Sequence, residues 1–464
     1  MNFFNILSKD DCIYTGTLLL SFLIAWAVRS SRNAWLMQHG VGVIGLVLAL
    51  IVIGPKILYS LILAIFTIGC IKTLHYKYLP ITVFVGSFIY LLVLRMIHLI
   101  IDVDELASHA NVIQLIMTLR AVGIAYEVAD SKKAASAKKS DENVKPSRTL
   151  LVEPTSLEIF SYLYHFCGLF TGPYYTYAMF LDSQTLLLHN DVSPVNEIKT
   201  RFMRLLWSVP VFVTLNIVFP INALRDDSIY NLPFTYLLIY AAALFTTFRC
   251  RVYSAWAISE SICVTLGIGI YPSCTEPATV VGPKKFNDVE ELLKNKTIEF
   301  DSNAINNLDI YNVEFSEGYR DGVRSWNKSV QTWLAIYVYS RAPKAYRTEL
   351  TMFVSALWHG TYAGYFMSFL VVPMCFAAED IIFSLISVDE AGRRSQLFRW
   401  FYWVTFRSRG FDMLAAGFLL KNFADVHRFW FSLYYWLVLV ALPIYIINAM
   451  LVKLGIRKRK SKQQ

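Results

Sequence analysis

Apolar runs of helix-forming length recur along almost the whole chain, most of them separated by only a few polar residues. The first extends from Ile13 to Val28. Others follow at Val41 to Ile53, Ile57 to Ile71, Pro80 to Ile101, Val112 to Ala125, Leu157 to Phe170, Phe202 to Phe219, Leu232 to Phe248, Val252 to Tyr271, Leu350 to Trp358, Gly364 to Ile386, Phe411 to Leu420 and Phe429 to Val452. Lipid offers no partner to open backbone groups, so a crossing segment is either a helix or a strand of a closed barrel, and long continuous apolar runs fit the helix, which needs roughly 20 residues for a core of about 30 Å. Several runs are short for that. Discounting those that fail to cross, the pattern predicts an all-α polytopic membrane protein of about eleven transmembrane helices, one domain over residues 1–464. Hydrophobic residues are 56% and charged ones 17%, against roughly 45–50% and 25% in soluble proteins.

The loops carry the charge. Arg29 and Arg32 follow the first run, Lys72, His75 and Lys77 the third, Asp102, Asp104 and Glu105 the fourth, and a lysine-rich stretch to Arg148 the fifth. If the second and third runs form a tight hairpin, this alternation places the N-terminus outside. Ala25-Trp26-Ala27 resembles a signal-peptidase site, but Asp10 and Asp11 give the first run an acidic flank, which favours a retained span. Residues 129–149 read as a flexible cytosolic loop whose lysines could also meet anionic lipid, and 272–325 as a large loop between spans. Residues 453–464 form a basic cytosolic tail, and its Lys460 and Lys462 resemble a dilysine retrieval signal of the endoplasmic reticulum membrane. The net charge of +9 therefore reports orientation or anionic headgroups. With no basic strip interleaved with exposed aromatics, nucleic acid is excluded as a partner.

Seven cysteines are scattered without paired spacing, so neither a zinc site nor a disulfide framework is indicated. Only Cys250, between Arg249 and Arg251, has basic neighbours that would activate a thiol. No Gly-x-Ser-x-Gly elbow, no His followed five positions later by Asp, and no phosphate-cradling Gly-x-x-x-x-Gly-Lys loop occurs. His359 is different: it lies in the largely apolar Phe353-Val354-Ser355-Ala356-Leu357-Trp358-His359-Gly360. A polar group at that depth is expensive and tends to face an interior cavity. Neutral imidazole is suited to take a proton from an alcohol that attacks a carbonyl. A hydrogen bond to a neighbouring helix is the alternative reading. Asn327, in Arg324-Ser325-Trp326-Asn327, stands where a polar stretch gives way to the amphipathic Val330-Gln331-Thr332-Trp333-Leu334. It is either a donor to an oxyanion or substrate hydroxyl, or a helix N-cap. Glu260 and Asp425 are candidate cavity carboxylates. Helix-to-helix bonding is their alternative. Ser355, one turn before His359, is a further hydroxyl, as readily explained by packing.

Trp326-Asn327 and Trp358-His359-Gly360, with Asn and His 32 positions apart, look like the Asn and His motifs of the membrane-bound O-acyltransferase superfamily. Phe170-Thr171-Gly172-Pro173-Tyr174-Tyr175, Arg320-Asp321-Gly322 and Trp326-Asn327-Lys328-Ser329-Val330-Gln331 are similar to its lysophosphatidylinositol acyltransferase branch. The resemblance runs over nearly the whole chain and implies that superfamily's fold, helices enclosing a catalytic chamber. It also implies transfer of a fatty acyl chain, polyunsaturated such as arachidonoyl, from acyl-CoA to the sn-2 hydroxyl of lysophosphatidylinositol, with no bound cofactor. His359 would be the base and Asn327 its partner, flanked by Trp326, Trp358 and Gly360. Arg320, Arg324 and Lys328 are candidates for the CoA phosphates, with interfacial anchoring as their alternative. Another acceptor within the superfamily, or a polytopic transporter using Glu260, Asp425 and His359 as a polar pathway, is the competing reading. Oligomeric state is not legible.

Overall fold

The computed structural model describes residues 9–138, 153–189, 192–283 and 299–454. Seven helical stretches among them are long and apolar enough to cross a membrane: Asp11–Ser31, Leu36–Thr73, Leu79–Leu99, Ser108–Ser136, Val195–Arg225, Ala363–Leu385 and Trp436–Lys453. The other apolar runs fall in shorter helices or in one long helix that carries charges inside it. Contacts group the chain into two compact units, residues 1–209, 251–307 and 327–337 in the first and 210–250, 308–326 and 338–464 in the second.

The first unit opens with α1 (Lys9–Ser31), α2 (Val41–Ile53), α3 (Ile57–Thr73), α4 (Leu79–Met96) and α5 (Ser108–Lys138). α2 and α3 are separated by a single turn at Gly54-Pro55-Lys56, where Gly54 takes the left-handed φ of 56° that a side chain would resist. The expected tight hairpin is instead one helical stretch, Leu36–Thr73, in which α2 and α3 share α5 and the short α6 (Ser156–Leu163) as neighbours and α3 packs also on α4. α5 runs on to Lys138, so the first part of the stretch read as a loop is helical; residues 139–149 lie outside the described residues.

α6 starts on a capping box, Thr155 Oγ1 accepting the Glu158 N–H while the Glu158 carboxylate accepts the Thr155 N–H. It lasts eight residues, about 12 Å, so the run from Leu157 to Phe170 is not an uninterrupted spanning helix. Its continuation is irregular yet buried, and the reason lies in α5. The fully buried Arg120 donates to the carbonyls of Leu163 at 3.0 Å and His165 at 2.7 Å, and also to those of Tyr162 and Cys167. These are the acceptors that water would otherwise have to satisfy.

α7 (Tyr177–His189) follows, then α8 (Val195–Val218) and α9 (Phe234–Thr265), within each of which the chain passes from one unit to the other. The sequence reads α9 as two runs broken at Arg249 and Arg251. The structure makes one helix because each charge finds a carboxylate, Arg249 pairing with Glu314 at 2.9 Å and Arg251 with Asp11.

The expected loop over 272–325 is partly structured. Tyr271–Pro272 pairs antiparallel with Phe300–Asp301, and two short helices follow, α10 (Ile310–Phe315) and α11 (Tyr319–Ser325). α12 (Lys328–Leu334) belongs to the first unit. The second unit continues with α13 (Arg347–His359), α14 (Ala363–Leu385), α15 (Gln396–Tyr402), α16 (Arg409–Leu420), α17 (Phe423–Ser432) and α18 (Trp436–Lys453). α14 is its hub, packed against α13, α16 and α18. Gly364 permits the closest approach: a Cβ there would lie 2.3 Å from the Gly417 carbonyl oxygen of α16. Of the predicted basic tail, residues 455–464 lie outside the described residues.

Candidate functional site

Asn327 occupies the N-cap position of α12, but in a conformation that a capping residue does not normally use. Its φ of 45° and ψ of 54° are left-handed, and its side chain makes no capping bond. Asparagine is among the few residues with a side chain that enter this region readily. The free N–H groups of the helix start go to another residue: Lys328 N–H donates to the Asn307 carbonyl at 2.8 Å and Ser329 N–H to Asn307 Oδ1 at 2.9 Å. Ser329 Oγ accepts the Tyr174 N–H at 3.2 Å and lies 3.5 Å from Asn327 Oδ1. The Thr171-Gly172-Pro173-Tyr174 segment thus borders the Asn327 turn. Its carbonyls are held by α9, Thr171 accepting from Trp256 Nε1 at 2.9 Å and Gly172 from the Ser259 hydroxyl.

Asn307 is buried, and its N–H donates to Glu260 Oε1 at 2.8 Å. Glu260, at 0% exposure, accepts at Oε2 from Arg201 Nε at 3.1 Å and Arg204 Nη1 at 3.2 Å. Arg201 also reaches Ser302 Oγ at 2.8 Å and Asn306 Oδ1 at 2.6 Å. The structure therefore places Glu260 in a buried ion-pair network, satisfied by cations and a backbone N–H. An isolated carboxylate at that depth would be too costly to keep charged.

His359 ends α13 in the second unit and stands among aromatic rings. Trp358 lies edge-on with centroids 4.7 Å apart, Phe369 is stacked at 5.1 Å, Phe418 is edge-on at 5.1 Å and Tyr365 is at 6.0 Å. The imidazole is partly exposed, while Trp358 and Gly360 are buried. Gly360 is required by this packing, since a Cβ would fall 2.6 Å from the Tyr365 ring. Ser355 is buried one turn earlier on α13. Trp326 joins the same cluster: its ring lies 5.9 Å from Phe248, and Phe248 lies 6.0 Å from the Phe418 that touches His359. The tryptophan of one motif and the histidine of the other thus belong to one aromatic group of the second unit.

The basic candidates differ among themselves. Arg320 is ion-paired with Asp380 at 2.9 Å and lies over the Phe376 ring at 4.8 Å. Arg324 is exposed in the last turn of α11, and Lys328 is the half-buried first residue of α12. Asp425 opens α17, bonded to Arg428 at 3.3 Å and facing Arg225 at 3.7 Å. Cys250 is buried, with its arginine neighbours engaged by Glu314 and Asp11. A cavity of about 930 Å³ in the second unit is lined by Glu317, Asp389, Arg393, Arg394, Arg399 and Trp400 among others, and by none of the residues singled out in the sequence.

Two positioning groups escape a sequence reading. Glu379 of α14 accepts the N–H groups of Tyr319 and Arg320, so it holds the start of α11, the helix that leads to Trp326. Its only sequence signal is a carboxylate pair, Glu379-Asp380, inside an apolar run. Asn307 gives even less, one asparagine in a polar stretch.

The helices and these centres define a polytopic membrane protein of the all-α class, with polar groups gathered at the starts and ends of interrupted helices. The family model described as MBOAT, membrane-bound O-acyltransferase family, matches residues 61–408. The chain is 53% identical over 454 residues to the membrane-bound acylglycerophosphatidylinositol O-acyltransferase of Caenorhabditis elegans, covering 97% of this chain and 98% of that one. Its similarity to the human protein of the same description is 31% over 446 residues, 94% and 93% of the two chains. The Drosophila melanogaster counterpart is 28% identical over 468 residues, 95% and 94% of the chains. The chain belongs to the membrane-bound O-acyltransferase family.

Proposed function

We propose that this enzyme transfers a fatty acyl group from acyl-CoA to the sn-2 hydroxyl of lysophosphatidylinositol in phospholipid remodelling. The observation that carries the reading is similarity over nearly the full chain to acyltransferases whose names specify the acylglycerophosphatidylinositol acceptor. In the mechanism we favour, neutral His359 takes the proton of the lipid hydroxyl as its oxygen attacks the thioester carbonyl. Asn327 donates to the oxygen on which negative charge collects, a contribution of about 3 kcal/mol for a well-placed donor. Collapse breaks the carbon–sulfur bond, the CoA thiolate takes the proton from His359, and ester and free CoA leave. No acyl-enzyme is required, and the aromatic rings around the half-buried His359 limit the access of competing water to the thioester.

The acyl group in this reading is polyunsaturated, the enzyme resides in the endoplasmic reticulum membrane, and its C-terminus is cytosolic. The deciding assay supplies purified enzyme with arachidonoyl-CoA and a panel of lysophospholipids. Turnover of the inositol acceptor at least tenfold above choline, ethanolamine and serine acceptors is expected, and equal turnover of choline and inositol acceptors would overturn the acceptor assignment. His359→Ala should remove transfer by a factor of about 10² or more with the protein still folded; retained transfer would remove His359 as the base.

A further inference from the structure

We propose that Asn307, fixed by Glu260 and Arg201, is a positioning residue for Asn327. It caps α12 in place of Asn327 and so leaves the Asn327 amide for the reacting groups. The inference rests on the role given to Asn327 above.

An asparagine before a helix ordinarily spends its side-chain oxygen on the N–H of the second or third helical residue, with extended backbone. Asn327 does neither: its backbone is left-handed and its side chain makes no capping bond. Both functions of a cap come from Asn307, 20 positions upstream, whose backbone and side-chain oxygens accept the first two N–H groups of α12. A cap supplied from elsewhere in the chain has one clear consequence. The local asparagine is set free for other bonds, and its left-handed turn is retained. Ser329 completes the arrangement. Its hydroxyl, anchored by the Tyr174 N–H at 3.2 Å, approaches Asn327 Oδ1 at 3.5 Å, which leaves Nδ2 as the donor available to an oxyanion.

Asn307 can hold that position because it is itself held. Its N–H is bonded to Glu260 Oε1 at 2.8 Å, and Glu260 is pinned on its other oxygen by Arg201 and Arg204. Arg201 also grips Ser302 and Asn306, two points of the segment that delivers Asn307. Arg201, Glu260 and Asn307 each have at most 1% exposure, so water does not substitute for any link.

The test uses the purified full chain, with steady-state kinetics for both substrates and thermal unfolding on each variant. Asn307→Ala should lower kcat about 10- to 100-fold while both KM values stay within roughly twofold. Asn307→Asp, which keeps the acceptor oxygen, should recover most of kcat. In an Asn327→Gly background, Asn307→Ala should cause no further loss, because the group it positions is gone. Should the alanine variant not fold, Asn307→Ser, with a shorter acceptor, is expected to lose kcat in the same direction. Full kcat in Asn307→Ala, losses that multiply with Asn327→Gly, a change confined to KM, or no recovery with aspartate would each overturn the inference. Asn327→Gly that retains full activity would instead remove the role of Asn327 itself, so the two failures are distinguishable.

Discussion

Asn327 and His359 are marked in the sequence by polarity at the edge of apolar runs, but their surroundings are not. The left-handed backbone at Asn327 makes the choice of substitution important. Alanine there adds backbone strain of about 1 kcal/mol to the loss of the amide, so a dead alanine variant would have two explanations. Glycine enters the same conformation freely. Asn327→Gly is therefore expected to lose about 10²-fold in kcat, the scale of one oxyanion donor, with a melting temperature close to that of the parent. Full activity in the glycine variant would mean that only the turn matters. Glu260 was visible in sequence as a carboxylate in an apolar run, yet its partners Arg201 and Asn307 lie 59 and 47 positions away. No local pattern encodes such a network. His359 tells the same story from the other side: Trp358 and Gly360 are its neighbours in sequence, whereas Phe369 and Phe418 reach it only through the packing of α14 and α16.

At the scale of helices, hydropathy identified where apolar segments lie better than where helices begin and end. The run from Leu157 to Phe170 has the composition of a span, but only seven of its residues, 157–163, lie in α6. A buried guanidinium, Arg120, takes the carbonyls of the irregular part, an option that composition does not reveal. Arg120→Met should leave those carbonyls without donors and destabilise the fold by about 3–5 kcal/mol; a melting temperature in detergent that does not fall would show that the loop is held by other means. The converse applies to α9, where Arg249 and Arg251 suggest a break and the structure keeps a continuous helix, since both charges are paired. Close helix contact was equally hidden. Gly364 looks unremarkable in its run, but the carbonyl 2.3 Å from its imagined Cβ belongs to backbone, which cannot swing aside. Gly364→Ala is predicted to cost about 1–3 kcal/mol, measurable as lower thermal stability with the acyl-donor KM little changed.

For the whole molecule, an all-α membrane protein was legible from the recurrence of long continuous apolar runs, because in lipid such a run satisfies its backbone as a helix, whereas barrel strands alternate in polarity. Among the described residues, seven helical stretches meet the length and hydropathy of a span, and contacts group the chain into two compact units. The proposed residence in the endoplasmic reticulum has a test at this scale: under that proposal, replacing Lys460 and Lys462 with alanine should redistribute the protein away from endoplasmic-reticulum markers in fluorescence microscopy while leaving transferase activity in isolated membranes unchanged. Unaltered distribution would remove the retrieval reading. By itself, the sequence determined the solvent for this fold and the helical class, since both follow from local composition, while Asn327 and His359 stand as catalytic candidates through the resemblance of their motifs. The tertiary structure alone decided which helices are interrupted, which buried charges are paired and which asparagine caps α12. Those depend on groups dozens of positions apart meeting at hydrogen-bond distance, and chain order does not encode that meeting in any short pattern.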